Sequence, residues 1–193
     1  MKKKTKMNLD FVSCDICDVN DTSLFSIMPT DMGWEFEPKS FSYVRCNKCD
    51  LLYINPRPKP EQLFEYYNEE TVQKNESVDG HVSSYFHNYN RGKKYHIEIA
   101  LEELKKIKKY KKTGKLLEIG CASGFFLNEA KKQGYDVYGI EPSENFAEYA
   151  KNKLGLKVVL GVLEENTFDD NFFDVIVHFD LISHLTSPKQ TFK

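Results

Sequence analysis

Four of the five cysteines fall into two matched pairs, Cys14-x-x-Cys17 and Cys46-x-x-Cys49, with residues 18–45 between them. Two residues between ligands let both sulfurs of one turn reach a single ion, so the paired knuckles predict a closed, structural four-thiolate zinc site. A redox dithiol is the alternative, but no thioredoxin-like pattern accompanies the pairs. A second cluster lies in "KLLEIGCASGFFL", Lys115 to Leu127. Glu118 stands near the end of an apolar run, Gly120 and Gly124 bracket a tight turn containing Cys121, and Glu141 ends the next apolar run about 20 residues on. A carboxylate at that spacing can accept both hydroxyls of a ribose. A dinucleotide turn wants Gly-x-Gly-x-x-Gly, yet Ala122 and Phe125 take its second and third glycine positions, and no Gly-Lys-Ser/Thr follows to make a P-loop. The turn therefore suits an adenosine without a pyrophosphate. Cys121 reads as a small packing residue that offers its backbone rather than as a nucleophile, because no base stands near it in sequence.

Near the end of the chain, "DLISHLTSP" sets Asp180 four residues before His184. An α-helix there would put both on one face, with His184 either a base or substrate contact or a plain helix-end residue. Tyr85, His87 and Tyr89 in "SSYFHNYNR" could cover an acceptor; a surface helix with buried rings is the preferred reading.

The elements that must hold these groups follow from periodicity. "KLLEIG", "DVYGIE", "KVVLG" and "FDVIVHFD" read as strands. Between the first three lie "GFFLNEAKKQG", a helix stopped by Gly134, and "SENFAEYAKNKLG", with Ser143 as N-cap and Gly155 past its end. Such alternation predicts a parallel sheet with helices on both faces and a ligand beyond the carboxyl ends of its strands. Upstream, Ile97, Ala100, Leu101, Leu104 and Ile107 recur at helical spacing, and the lysines from Lys105 to Lys115 read as the wet face of that helix. The prolines of "YINPRPKP" mark a boundary. The expected division is 1–58, a metal ribbon; 59–112, a helical connecting and acceptor-side region; and 113–193, the α/β domain.

Bulk properties narrow the partners. The chain has 193 residues, 40% hydrophobic and 29% charged, with a formal charge of -2 and a pI near 6.2. Nothing global attracts nucleic acid or an anionic membrane. The basic start "MKKKTKMNLDFVSCDIC" lacks the apolar core of a signal peptide, and no stretch reaches the roughly 18–20 apolar residues that span a bilayer. A soluble protein of the reducing cytoplasm is expected.

"LLEIGCASGFFL", "VYGIEPS" and "FDVIVHFDLISHL" together resemble the motifs of class I S-adenosylmethionine-dependent methyltransferases, over about Lys115 to Pro188. The resemblance implies a Rossmann-like sheet, here about four parallel strands. It implies that Gly120, Cys121 and Gly124 line the methionine part of the cofactor, Glu118 helps hold its amino group, Glu141 takes the ribose, and Leu163 and Glu164 lie beside the adenine. "RCNKCDLLYINPRP" is similar to the zinc-ribbon head of bacterial methyltransferases that act on sugars and other small biosynthetic intermediates. Asp18 and Asp50 stand where that group usually carries glycine, and aspartate tolerates the left-handed backbone required there. The group's usual Asp-x-x-Glu-His becomes Asp180 to His184 with Ser183 in place of the glutamate. By this resemblance His184 and Asp180 are the catalytic candidates, and the function is methyl transfer to a small-molecule acceptor, a sugar or a surface-polysaccharide or secondary-metabolite intermediate. An RNA methyltransferase with a zinc module is the second reading, opposed by the acidic "CDICDVNDTS" where a phosphate grip needs cations. A non-catalytic binding protein is the third. Such methyltransferases normally continue with further strands, so the resemblance implies a C-terminally truncated chain. "FDVIVHF" would then be an open edge prone to self-association, and turnover would be low.

Overall fold

Before Pro58 the sequence offers short runs broken by turn residues, and the computed structural model turns them into small antiparallel ladders. It describes residues 8–29, 40–62, 85–163 and 168–192, with the backbone of two-residue strands at 5–6, 36–37, 75–76 and 82–83. The chain divides into two compact units, Met1–Glu65 with Thr186–Lys193, and Tyr66–Leu185.

In the first unit, strands β2 (Thr22–Pro29), β3 (Ser40–Cys46) and β4 (Leu52–Ile54) form an antiparallel sheet in that order. A separate pair joins β1 (Leu9–Asp10) to β5 (Arg57–Pro58), so Pro58 enters a two-residue ladder of the marginal kind that proline tolerates. Among the described residues of this unit only Cys14, Val44, Cys46 and Pro58 are buried.

The second unit begins its described part with helices α1 (Tyr85–Arg91) and α2 (Lys93–Ile107), the latter burying Ala100 and Leu104. Residues 63–84 of the expected helical region lie outside the described residues apart from two short strands. The lysine run differs from expectation. Only Lys105 and Lys106 belong to α2, where they pair with Glu102 and Glu103, while residues 108–113 form turns after the helix has ended.

The α/β part follows in order: β6 (Gly114–Ile119), α3 (Phe125–Lys132), β7 (Tyr135–Glu141), α4 (Glu144–Leu154), β8 (Lys157–Leu160) and β9 (Val175–His178). All strand pairs are parallel, in the order β8-β7-β6-β9, the sheet of a Rossmann-like fold. β6 is buried on both faces from Leu116 to Ile119, as a central parallel strand must be when both of its faces are covered. One core gathers Leu116, Leu127, Ala130, Val137, Ala147 and Ala150; the other sets Leu117, Ile119 and Ile140 against Leu163 and Phe173. β9 lies at the sheet edge with Ile176 exposed. Within the first unit the final helix α5 (Pro188–Thr191) starts after Ser187, whose hydroxyl donates to Asp15 rather than capping its own helix. Among the described residues no helix is long and apolar enough to cross a membrane.

Candidate functional sites: a thiolate cluster and a carboxylate-backed glycine turn

The two cysteine knuckles are built alike. In the first, the N–H of Cys14 donates to the Val19 carbonyl (2.9 Å) and that of Asp18 to the Cys14 carbonyl (2.8 Å). In the second, Cys46 donates to Leu51 (2.9 Å) and Asp50 to Cys46 (3.0 Å). Each turn closes through an aspartate in the left-handed region, Asp18 at φ 57° and Asp50 at φ 62°.

The knuckles bring the four sulfurs within 4.8 Å of one another. Cys14 to Cys49 and Cys17 to Cys46 measure 3.5 Å, and Cys17 to Cys49 3.7 Å. Four thiolates about 2.3 Å from a tetrahedral zinc would stand about 3.8 Å apart, so the donor set fits such an ion. Burial pushes the Cys46 thiol up, but backbone N–H groups of Lys48 and Cys49 and the Cys17 and Cys49 sulfurs outweigh it and bring it down to about 7. Burial and then Cys46, Cys14 and Cys49 push Cys17 up to about 12. Sulfurs this close resist sharing negative charge in the absence of a cation. Burial and then the four cysteines also push the Tyr53 phenol up.

The second site lies at the carboxyl ends of β6 and β7. Three residues of the turn after β6 are left-handed: Gly120 (φ 73°), Ala122 (φ 45°) and Gly124 (φ 74°). The turn is held down by the N–H groups of Gly120 and Cys121, both donating to the Ile140 carbonyl. Gly124 also lets helix α3 approach its neighbour, since a Cβ there would lie 2.5 Å from Leu156 Cδ1 and 3.2 Å from Ala150 Cβ. Close helix packing, the role assigned to the third glycine of a dinucleotide turn, is thus met one position before Phe125. Cys121 is buried, and Gly139 makes room for its sulfur, 2.6 Å from where a Cβ at Gly139 would sit.

Glu141 is buried at the end of β7, with Oε2 accepting from the Ala122 N–H (2.8 Å) and Oε1 from the Ser143 N–H (2.9 Å). Each oxygen keeps lone-pair capacity for a ligand hydroxyl. Ser143 stands at the N-cap of α4 as expected, its carbonyl accepting from the Ala147 N–H (2.9 Å), but its hydroxyl makes no capping bond, and its own N–H goes to Glu141. Glu118 is also buried, and its Oε2 has no hydrogen-bond partner. Burial, and then the Glu141 charge, push the Glu118 carboxyl well up.

Burial raises Glu141 to about 7 against the opposing hydrogen bonds from Ser143 and Ala122. The native state therefore holds a proton that the unfolded chain, with an ordinary value near 4.5, gives up earlier. The stability contributed by protonated Glu141 is fully present below about 4.5 and is lost as pH rises through about 7. Between these limits, ligand-free Glu141→Gln is expected to gain on the wild type by up to about 3 kcal/mol in denaturant titrations. A stability difference that stays flat with pH would refute this.

Helix α1 lies over the turn. The buried hydroxyl of Ser123 donates to Asn90 Oδ1 (3.0 Å). Tyr89 stacks on His96 (3.9 Å between centroids), lies parallel to Phe125 (5.8 Å) and is edge-on to Phe146. Burial, then Glu118, pushes the Tyr89 phenol up, and burial, then Glu141 and Asp180, does the same to Tyr85. Both phenols therefore feel the site's carboxylates. His87 is exposed on the same helix. Sequence reasoning did not single out Ser123 or Asn90. Ala122 was noted only as the residue at the second glycine position, and its left-handed backbone became visible only in the structure.

The acceptor-side candidates are arranged differently from expectation. Asp180 is left-handed at φ 52°, and only a 3-10 turn, Ile182–His184, follows it. The premise of one α-helical face for Asp180 and His184 therefore fails, because a left-handed residue cannot begin a right-handed helix. Both residues are exposed. Leu163 packs partly buried against the Leu117, Ile119 and Ile140 core, and Glu164 lies outside the described residues.

Residues 117–193 match the family described as Methyltransferase domain. A ubiquinone biosynthesis O-methyltransferase from Coxiella burnetii is 29% identical over 83 residues, 40% of this chain and 36% of that one. An uncharacterized methyltransferase from Geobacillus sp. is 29% identical over 130 residues, 66% of this chain and 55% of that one. The chain thus spans roughly a third to a half of the length of the curated relatives it matches. A SAM-dependent methyltransferase from Thermotoga maritima superposes with a TM-score of 0.46 at 30% identity, covering 55% of this chain and 49% of that one.

Proposed function

We propose that the chain uses S-adenosylmethionine to methylate a small-molecule acceptor, a sugar or a surface-polysaccharide or secondary-metabolite intermediate. The observation that carries this reading is the pair of buried carboxyls, Glu118 and Glu141, behind a turn with three left-handed residues. A buried carboxylate without a counter-charge is costly, and a ligand bearing an ammonium and a sulfonium would relieve that cost. When bound, S-adenosylmethionine supplies a methyl group on a leaving group that is already cationic. Glu141 receives the ribose hydroxyls while the Ala122 and Ser143 N–H groups hold its carboxylate in place. Glu118 faces the amino group, Gly120, Cys121 and Gly124 line the methionine part, and Leu163 and Glu164 flank the adenine. His184 takes a proton from the acceptor, and Asp180, four residues earlier, is the second candidate on the acceptor side. The name of the Coxiella relative supports an acceptor of small-molecule type.

In the same reading, Cys14, Cys17, Cys46 and Cys49 hold one structural zinc in a ribbon of residues 1–58. Residues 59–112 form the acceptor side and 113–193 the cofactor domain. Calorimetry with S-adenosylhomocysteine tests the cofactor assignment. Glu141→Ala is expected to weaken binding by about 1–3 kcal/mol, with Glu141→Gln intermediate because it keeps one acceptor oxygen. Unchanged affinity in Glu141→Ala would remove this residue from the site, and tighter binding of NAD would overturn the reading of the turn.

A further inference from the structure

Tyr53 carries a buried hydroxyl with no hydrogen-bond partner, one of two such side-chain atoms among the described residues. A phenol taken out of water without a partner is destabilising, so its surroundings need an acceptor. Its place in the sheet says which one. Tyr53 on β4 stands directly opposite Val44 on β3. Opposed residues share a face, and so do residues two apart on one strand, so Val44, Cys46 and Tyr53 all project to the same side. That side is the inner one, since Val44 and Cys46 are buried while Arg45 between them is exposed. A diagonal neighbour of this kind lies within reach of an aromatic side chain. In this structure no group, sulfur included, receives the hydroxyl. Ser42 and Thr22 share that face with Cys46, but only the cysteine sulfurs become anionic when they hold a divalent ion, which makes them the strongest acceptors there.

We infer that Tyr53 is a positioning residue of the metal centre, its hydroxyl donating to a cysteine thiolate once the four sulfurs hold their ion. The inference rests on the zinc reading of the cluster. Four thiolates around a divalent ion leave a net charge of -2 on the sulfurs, and a phenol O–H directed at one of them stabilises that charge without adding a ligand. The bond would also lower the sulfur's electron-donating power toward the metal and toward oxidants.

The test uses the full chain and Tyr53→Phe, which keeps the ring and removes only the hydroxyl. Zinc affinity is measured by competition with a colorimetric chelator, and the sulfur-to-metal charge-transfer band is recorded after substitution with cobalt(II). Tyr53→Phe is expected to bind zinc about 10-fold more weakly, in the range found for outer-shell partners of metal sites, and to shift the band to lower energy. A residue that merely packs would leave the band where it is. Wild-type affinity together with an unmoved band in Tyr53→Phe would overturn the inference while leaving the zinc site intact. A wild-type chain that fails to take up zinc would overturn the thiolate reading itself, and this inference with it.

Discussion

Cys46→Ser is expected to lose its zinc and to unfold the first unit, the largest effect of any single substitution considered. Few apolar side chains are available to hold that unit together, because only Cys14, Val44, Cys46 and Pro58 are buried among its described residues. Burying a valine contributes about 1.5–3 kcal/mol, whereas binding of a structural zinc contributes about 10–16 kcal/mol in zinc-finger peptides and stabilises the fold directly. Cys46 also anchors the second knuckle through its backbone and ends strand β3. The checks are metal content and limited proteolysis: zinc should fall from about one equivalent to near none, and the peptide bonds of residues 40–62 should become cleavable. Stripping the wild type with a strong chelator should reproduce both effects. A metal-free chain whose residues 40–62 resist protease would show that the ribbon stands without an ion.

Gly124→Ala is expected to destabilise the second unit by about 2–5 kcal/mol, combining about 1–2 for a left-handed alanine with about 1–3 for overpacking. The new methyl would press on Leu156 and on Ala150, and the Ala150 backbone belongs to α4, so it cannot give way as a side-chain end can. Gly155 supplies the control. It is also left-handed, at φ 61°, but a Cβ there meets nothing within 4 Å. Gly155→Ala should therefore show the conformational cost alone, about 1–2 kcal/mol. Denaturant titration of the two variants separates the effects. Equal losses would mean that the approach of α3 to α4 at Gly124 does not constrain the fold.

Much of the scaffold was legible along the chain because its determinants are local. The strands of the parallel sheet are apolar runs bounded by turn residues, and the stops at Gly134 and Gly155 are left-handed positions that glycine alone adopts cheaply. The Cys-x-x-Cys spacing and the aspartates after each pair describe a knuckle within a few residues, so sequence sufficed to group the four sulfurs. Local spacing misled where the backbone broke its own period. Four residues from Asp180 to His184 suggested one helical face, and a left-handed Asp180 removed it.

The contents of the sites were decided by residues far apart in sequence. Glu141 was marked by its distance from Gly120, yet the hydrogen bonds that orient it come from Ala122 and Ser143 once β6 and β7 lie side by side. Ser123 found Asn90, Gly124 found Leu156, and Tyr53 came to face the cysteines only through its register against Val44. By itself the sequence determined the order of elements, the metal-type spacing of the cysteines and the acid, glycine and acid of the turn, since each depends on short-range sterics and periodicity. Only the tertiary structure decided which donors meet which acceptors, which carboxyl is left without a partner and which glycine has no space for a methyl, because these depend on through-space distances that strand pairing and helix packing set.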